Sequence, residues 1–193
     1  MDILRIRHRD FEIIEIISNN AYKCSFKGKI YFVKQYNLQN SESESNFHNF
    51  IRIARSSINT ARLRWVDKKQ GYVVTDYIEG VTVFDYISDH DFNEIIYREI
   101  FLNSYMAKVS RMALDYSLKS WLIVGNELYY ISDYLDFYTP EKDFTKTDLR
   151  LWFMSKDLAN YYEKNGILFD KSRLKQEYEV NKEMVLMTCK YYQ

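Results

Sequence analysis

Hydrophobic and polar positions alternate through the first third of the chain. Phe11 to Ile17 and Tyr22 to Phe26 are short apolar or alternating runs separated by Ser18-Asn19-Asn20, and the second sets Tyr22, Cys24 and Phe26 against Lys23, Ser25 and Lys27. A period of two is that of a strand, so these predict antiparallel neighbours. Lys27-Gly28-Lys29 predicts a tight turn into a third strand, Ile30 to Tyr36. Its alternation puts Ile30, Phe32, Lys34 and Tyr36 on one face and Tyr31, Val33 and Gln35 on the other. The Ser/Glu/Asn stretch 37–46 then reads as a solvated linker that caps a helix. Beyond it Phe47, Phe50, Ile51, Ala54, Ile58 and Ala61 recur every three or four residues, the stripe of a helix packed on a sheet. Leu63 to Asp67 and Tyr72 to Tyr77, joined by Lys68-Lys69-Gln70-Gly71, complete a sheet of five strands with one helix.

After about residue 80 the period changes to that of helices. Phe92, Ile95, Ile96, Ile100, Tyr105, Met106, Val109, Met112 and Ala113 predict one long helix. A hairpin follows, Trp121 to Val124 and Leu128 to Ile131 around Gly125-Asn126. A further helix is expected from Thr147-Asp148 to the stop at Asn165-Gly166, and another from about Lys171 to Tyr191. The expected class is α+β, with a sheet-rich unit over 1–80 and a mainly helical unit over 81–193.

Composition narrows the reading. The 193 residues are 47% hydrophobic, enough for a packed core. Lys+Arg and Asp+Glu both total 27, which gives no electrostatic case for broad binding to nucleic acid or an anionic membrane. Cys24 and Cys189 have no metal-ligand spacing, and Cys24 on an alternating strand reads as core. No apolar run approaches the ~18 residues of a membrane span and no signal-peptide core opens the chain, so the cytoplasm is the expected location.

Lys34 carries the candidate chemistry. A lysine on an otherwise apolar and aromatic strand needs a reason to be there, because burying an unpaired ammonium costs several kcal/mol. A phosphate is one such reason; a side chain that lays its stem on aromatic surface and reaches water is another.

The order of elements, with Tyr31-Phe32-Val33-Lys34 on the third strand and Val74-Thr75-Asp76-Tyr77-Ile78-Glu79-Gly80 after the fifth, resembles the protein-kinase-like superfamily. Its small atypical members, lipopolysaccharide-core sugar kinases and aminoglycoside-phosphotransferase-type enzymes, are the nearest in pattern. The resemblance implies a bilobal fold, an N-terminal five-stranded antiparallel sheet with one helix followed by a short, mainly helical C-terminal lobe. It also implies an ATP-dependent phosphotransferase using magnesium. Lys34 would then pair with nucleotide phosphates, and Asp76, Tyr77 and Ile78 would form the connector whose backbone meets adenine. Asp115 resembles the catalytic-loop aspartate and Asp133 the metal-binding one, with Asp136 in Asp136-Phe137-Tyr138 as the alternative.

The chain departs from that pattern at several positions. Ser18-Asn19-Asn20 replaces a glycine-rich turn, and Phe32 stands where a small side chain usually faces adenine. No glutamate lies inside the periodic stretch of the helix, so an ion-pair partner for Lys34 is expected from Glu42 or Glu44 or not at all. Ser120-Trp121 replaces the metal-binding asparagine about five residues after Asp115. These departures fit an inactive pseudokinase acting through a protein partner as the alternative function.

Overall fold

The computed structural model describes residues 2–192. The chain divides into two compact units: one runs to Glu79 and includes Ser132–Leu135, and the other takes Gly80–Ile131 and the chain from Asp136. The class is mixed α and β.

The first unit is a curled antiparallel sheet of six strands with one helix. Strands β1 (Ile3–Ile6), β2 (Arg9–Ser18), β3 (Ala21–Phe26) and β4 (Lys29–Gln35) follow one another as a meander. Helix α1 (Ser41–Ile53) comes next, then β5 (Leu63–Asp67) and β6 (Tyr72–Asp76). The order across the sheet is β1-β2-β3-β4-β6-β5. The extra strand relative to expectation is β1, which pairs with β2 from Ile3 opposite Glu12 to Ile6 opposite Arg9. Curling lets one face close on itself. Ile6, Phe11, Cys24, Tyr31, Val33, Tyr72 and Val74 form a single cluster with Trp65 packed against it. The Arg9 guanidinium lies 5.0 Å from the Trp65 ring centre, and Arg7 donates to the Val66 carbonyl. Burial pushes the Cys24 thiol up to about 11, as a core cysteine requires.

The opposite face carries α1. Phe47, Phe50 and Ile51 pack on Tyr36 and Val73, each buried. Burying side chains of this size contributes about 1.5–3 kcal/mol apiece, enough to fix the helix on the sheet. The helix starts earlier than its apolar stripe: Asn40 accepts from the Ser43 N–H at 2.9 Å, and Glu42 and Glu44 fall in the first turn. Carboxylates there complement the positive end of the helix dipole. It also ends earlier, at Ile53, so Ile58 and Ala61 lie outside it.

In the second unit β7 (Val81–Thr82) leads into α2 (Val83–Asp89) and α3 (Glu94–Val109). The expected continuation of α3 to Ala113 fails at Ser110-Arg111. Arg111 takes a left-handed backbone (φ 55°), and Met112–Ala113 forms β8 instead. The hairpin β9 (Trp121–Val124) and β10 (Glu127–Tyr130) pairs as expected around Gly125, which has φ 61°. β11 (Asp136–Phe137) pairs with β8, and β7 adds to β9. The helix expected from Thr147 is a single 3-10 turn, Leu149–Trp152, followed by α4 (Lys156–Lys164). The last is split likewise into a 3-10 turn, Lys171–Arg173, and α5 (Glu177–Tyr191).

Aromatic rings fill this unit's core. Trp121, Trp152, Tyr130, Phe101, Phe144 and Phe153 are almost wholly buried, and Phe84 stacks on Tyr162 with ring centres 4.4 Å apart.

Candidate functional site

Lys34 and Asp133 form an ion pair, Nζ to Oδ2 at 2.6 Å, across 99 positions of sequence. Both belong to the first unit. On the sheet, Lys34 lies opposite Ala21 of β3 and Val73 of β6, one register step from Phe32, which lies opposite Lys23 and Thr75. Alternation therefore puts Ala21, Lys23, Phe32, Lys34, Val73 and Thr75 on one face. Asp133 is carried by Ser132–Leu135, and α1 holds that segment: the Asn49 side chain donates to the Leu135 carbonyl at 3.3 Å, and Leu135 itself is buried. Tyr134 N–H bonds back to the Ser132 hydroxyl at 3.1 Å, tightening the turn around Asp133.

The pair is neither solvated nor sealed: side-chain exposure is 24% for Lys34 and 21% for Asp133. Glu42 and Glu44, the partners expected from sequence, sit in the first turn of α1, and the carboxylate on Lys34 is that of Asp133.

Tyr36 completes the cluster. Its ring centre is 5.2 Å from Lys34 Nζ, and its hydroxyl is buried without a hydrogen-bond partner. Burial, followed by the adjacent Asp133 charge, pushes the phenol well above its ordinary range. It is held neutral. The Thr75 hydroxyl, on the Lys34 face of the sheet, is likewise buried and unpartnered.

The connector residues have varied engagements. The Asp76 carboxylate forms a two-point bond with Arg64, both contacts 2.6 Å, and its N–H donates to the Arg62 carbonyl. Tyr77 N–H reaches the Ile30 carbonyl at 3.4 Å, and the Lys23 ammonium lies 4.3 Å from the Tyr77 ring centre. Ile78 is half-buried just beyond the end of β6.

Asp115 lies in the second unit, between β8 and the 3-10 turn Leu118–Ser120. Oδ1 accepts from the Ser117 N–H at 2.9 Å; Oδ2 accepts from the Ser117 hydroxyl at 3.0 Å and the Ser120 hydroxyl at 2.5 Å. Its own N–H donates to the Tyr130 hydroxyl and its carbonyl accepts from Trp121 Nε1, both at 3.1 Å. Trp152 Nε1 fixes the next carbonyl, that of Tyr116, at 2.9 Å. A carboxylate bonded in this way is fixed in direction.

Asp148 is in the electrostatic reach of Asp115. Burial, then the Asp115 charge, raises its carboxyl above the ordinary range. Asp136, by contrast, is bonded to Lys142 and to the Phe137 N–H, which together hold it low. Among the described residues no three His, Cys, Asp or Glu side chains cluster closely enough to hold a metal ion.

Sequence reasoning missed Tyr36, Asn49 and Asp148. Tyr36 was legible in part, since it shares the period-two face with Lys34. Asn49 and Asp148 depend on contacts that no local pattern announces.

Comparison with protein-family models and with characterised proteins finds no match to this chain. No helix among the described residues is long and apolar enough to cross a membrane.

Proposed function

We propose that this protein is a kinase-like phosphotransferase that binds ATP with magnesium. The observation that carries the reading is the 2.6 Å contact between Lys34 Nζ and Asp133 Oδ2. It joins a cation on the central sheet to the aspartate that the resemblance assigns to the metal. In this reading Lys34 bonds phosphate oxygens, and Asp133 contributes one carboxylate to magnesium. Magnesium is commonly held by one or two carboxylates, with phosphate oxygens and waters filling the other positions, so a site with few acidic residues fits. The ion supplies charge neutralisation on the transferred phosphoryl group. The Tyr36 hydroxyl, buried beside Asp133, would supply a further donor.

Asp115 would take the proton of the acceptor hydroxyl. Bonds from Ser117 and Ser120 orient its carboxylate, and such orientation is what phosphoryl transfer asks of the protein. The connector Asp76, Tyr77 and Ile78 would meet the base through backbone atoms.

Phe32 and Ser120 favour a second reading, an inactive pseudokinase that binds a protein partner. Phe32 would bring a ring to the base side, and the hydroxyl at Ser120 is committed to Asp115. Thermal denaturation with saturating Mg-ATP separates nucleotide binding from its absence: ligand at 100 times its dissociation constant should add about 2.7 kcal/mol. A shift together with ATP turnover that Asp115→Asn abolishes supports the enzyme. A shift with no turnover supports the pseudokinase, and no shift removes the nucleotide site from both.

A further inference from the structure

A second polar site lies in the first unit, at the end of β4 beyond Lys34. It is a groove of about 580 Å³ bordered by the β2–β3 turn, the linker before α1 and the β5–β6 turn. Its rim is unusual in composition. Asn20, Gln35, Asn37, Gln39 and Gln70 bring five carboxamides together with one ammonium, Lys69, and no carboxylate lines it.

The backbone beneath these side chains is tied down. Gln35 N–H bonds to the Asn20 carbonyl at 2.8 Å and Tyr36 N–H to the Gly71 carbonyl at 2.9 Å. Asn37 N–H bonds to the Ser43 hydroxyl at 2.8 Å, and Gln39 N–H to the Asn37 side chain at 3.0 Å. Asn20 Nδ2 donates to the Gln35 carbonyl at 3.1 Å. The side-chain amides of Gln35, Gln39 and Gln70 make no hydrogen bond among the described residues. A rigid frame thus presents unpaired carboxamides into one space.

The Asn20 amide is engaged with the Gln35 carbonyl and the Ser18 hydroxyl and the Asn37 oxygen with the Gln39 N–H, but Gln35, Gln39 and Gln70 each offer a donor pair and an acceptor a short distance apart, which matches adjacent hydroxyl groups that both donate and accept. Uncharged amides select against strongly charged ligands, which lose more hydration than such groups return. A frame held in place lowers the ordering cost of binding. We propose that this groove binds a polyhydroxylated, sugar-like ligand, with Lys69 favouring one that carries a single carboxylate. Tyr36 borders both this groove and the Lys34 site, but the inference does not require the phosphate site.

D-glucose and D-glucuronate are the probes. Each is titrated into the full chain labelled with 15N and followed by backbone amide shifts. The expected result is saturable shifts confined to residues 20, 35–39 and 69–71, with glucuronate tighter. The double variant Gln39→Ala/Gln70→Ala should bind both sugars about tenfold more weakly, the effect of roughly 1.4 kcal/mol in lost hydrogen bonds. Lys69→Ala should bring glucuronate down to the level of glucose. Both Gln39 and Gln70 are exposed, and an unchanged amide spectrum elsewhere shows that the double variant is folded. If it is not, Gln39→Ala alone provides the same comparison. The proposal is overturned if neither sugar shifts these residues, if the shifts survive the double variant, or if an uncharged Gly-Ser peptide shifts them while the sugars do not.

Discussion

Gly71 shows how a single backbone position couples two parts of the first unit. Its φ of +73° lies in the left-handed region, and a Cβ there would sit 2.2 Å from the Tyr36 carbonyl oxygen. Neither can relax without moving the β4 end that follows Lys34. Gly71→Ala should destabilise the protein by at least about 2 kcal/mol, read as a lowered urea midpoint. An unchanged midpoint would show that the turn shifts freely. Asp143 makes a second case. Burial alone would raise its carboxyl, but bonds from Thr145, Tyr192 and Tyr138 outweigh it and bring it from 3.8 down to about 2. A depressed folded-state value stabilises above the unfolded one, so this contribution is complete above about pH 4 and is lost as pH falls towards 2. After allowance for screening it amounts to about 1–2 kcal/mol. Wild-type stability should drop more steeply than that of Asp143→Asn between pH 4 and 2 in acid titrations followed by circular dichroism. Parallel curves would contradict the assignment.

At the scale of elements, α1 packs on the face of the sheet that carries Lys34 and positions Asp133 through Asn49, so its start matters. Asn40→Ala removes the side chain that accepts from Ser43 N–H and should cost about 1 kcal/mol. Equilibrium urea unfolding would detect this, and a change below about 0.3 kcal/mol would mean another group caps the helix. The N-terminal strands and the β9–β10 hairpin were legible because their alternation and turn residues agree. What escaped has physical causes. The strand Ile3–Ile6 has four residues, too few to establish a period. The Ser41–Ser45 run has the composition of a linker, but the Asn40 cap and the Glu42 and Glu44 charges draw it into the helix. Nothing at Ser110-Arg111 announces a break, since no glycine or proline stands there and an arginine takes the left-handed position. Thr147-Asp148 looked like a helix start, but the cap that works is Ser155, which accepts from the Leu158 N–H at 3.2 Å and is itself buried.

Across the whole molecule, an α+β class could be read from the change of period near residue 80. The return of Ser132–Leu135 to the first unit could not, because it depends on contacts 86 and 99 positions apart, Asn49 with Leu135 and Lys34 with Asp133. Lys34 itself was conspicuous, one cation among apolar and aromatic neighbours, whereas its partner was not: Glu42 or Glu44 was expected, and Asp133, which the resemblance assigns to the metal, makes the pair. We propose that this ion pair marks a phosphate site. Isothermal titration of Mg-ATP into the wild-type protein, Lys34→Met and Asp133→Asn tests it most directly. Binding to the wild type should be saturable and at least about tenfold tighter than to each variant, the loss that follows from removing one charged hydrogen bond of roughly 1.5–3 kcal/mol. Equal affinity in all three, or no heat of binding to the wild type, would contradict it.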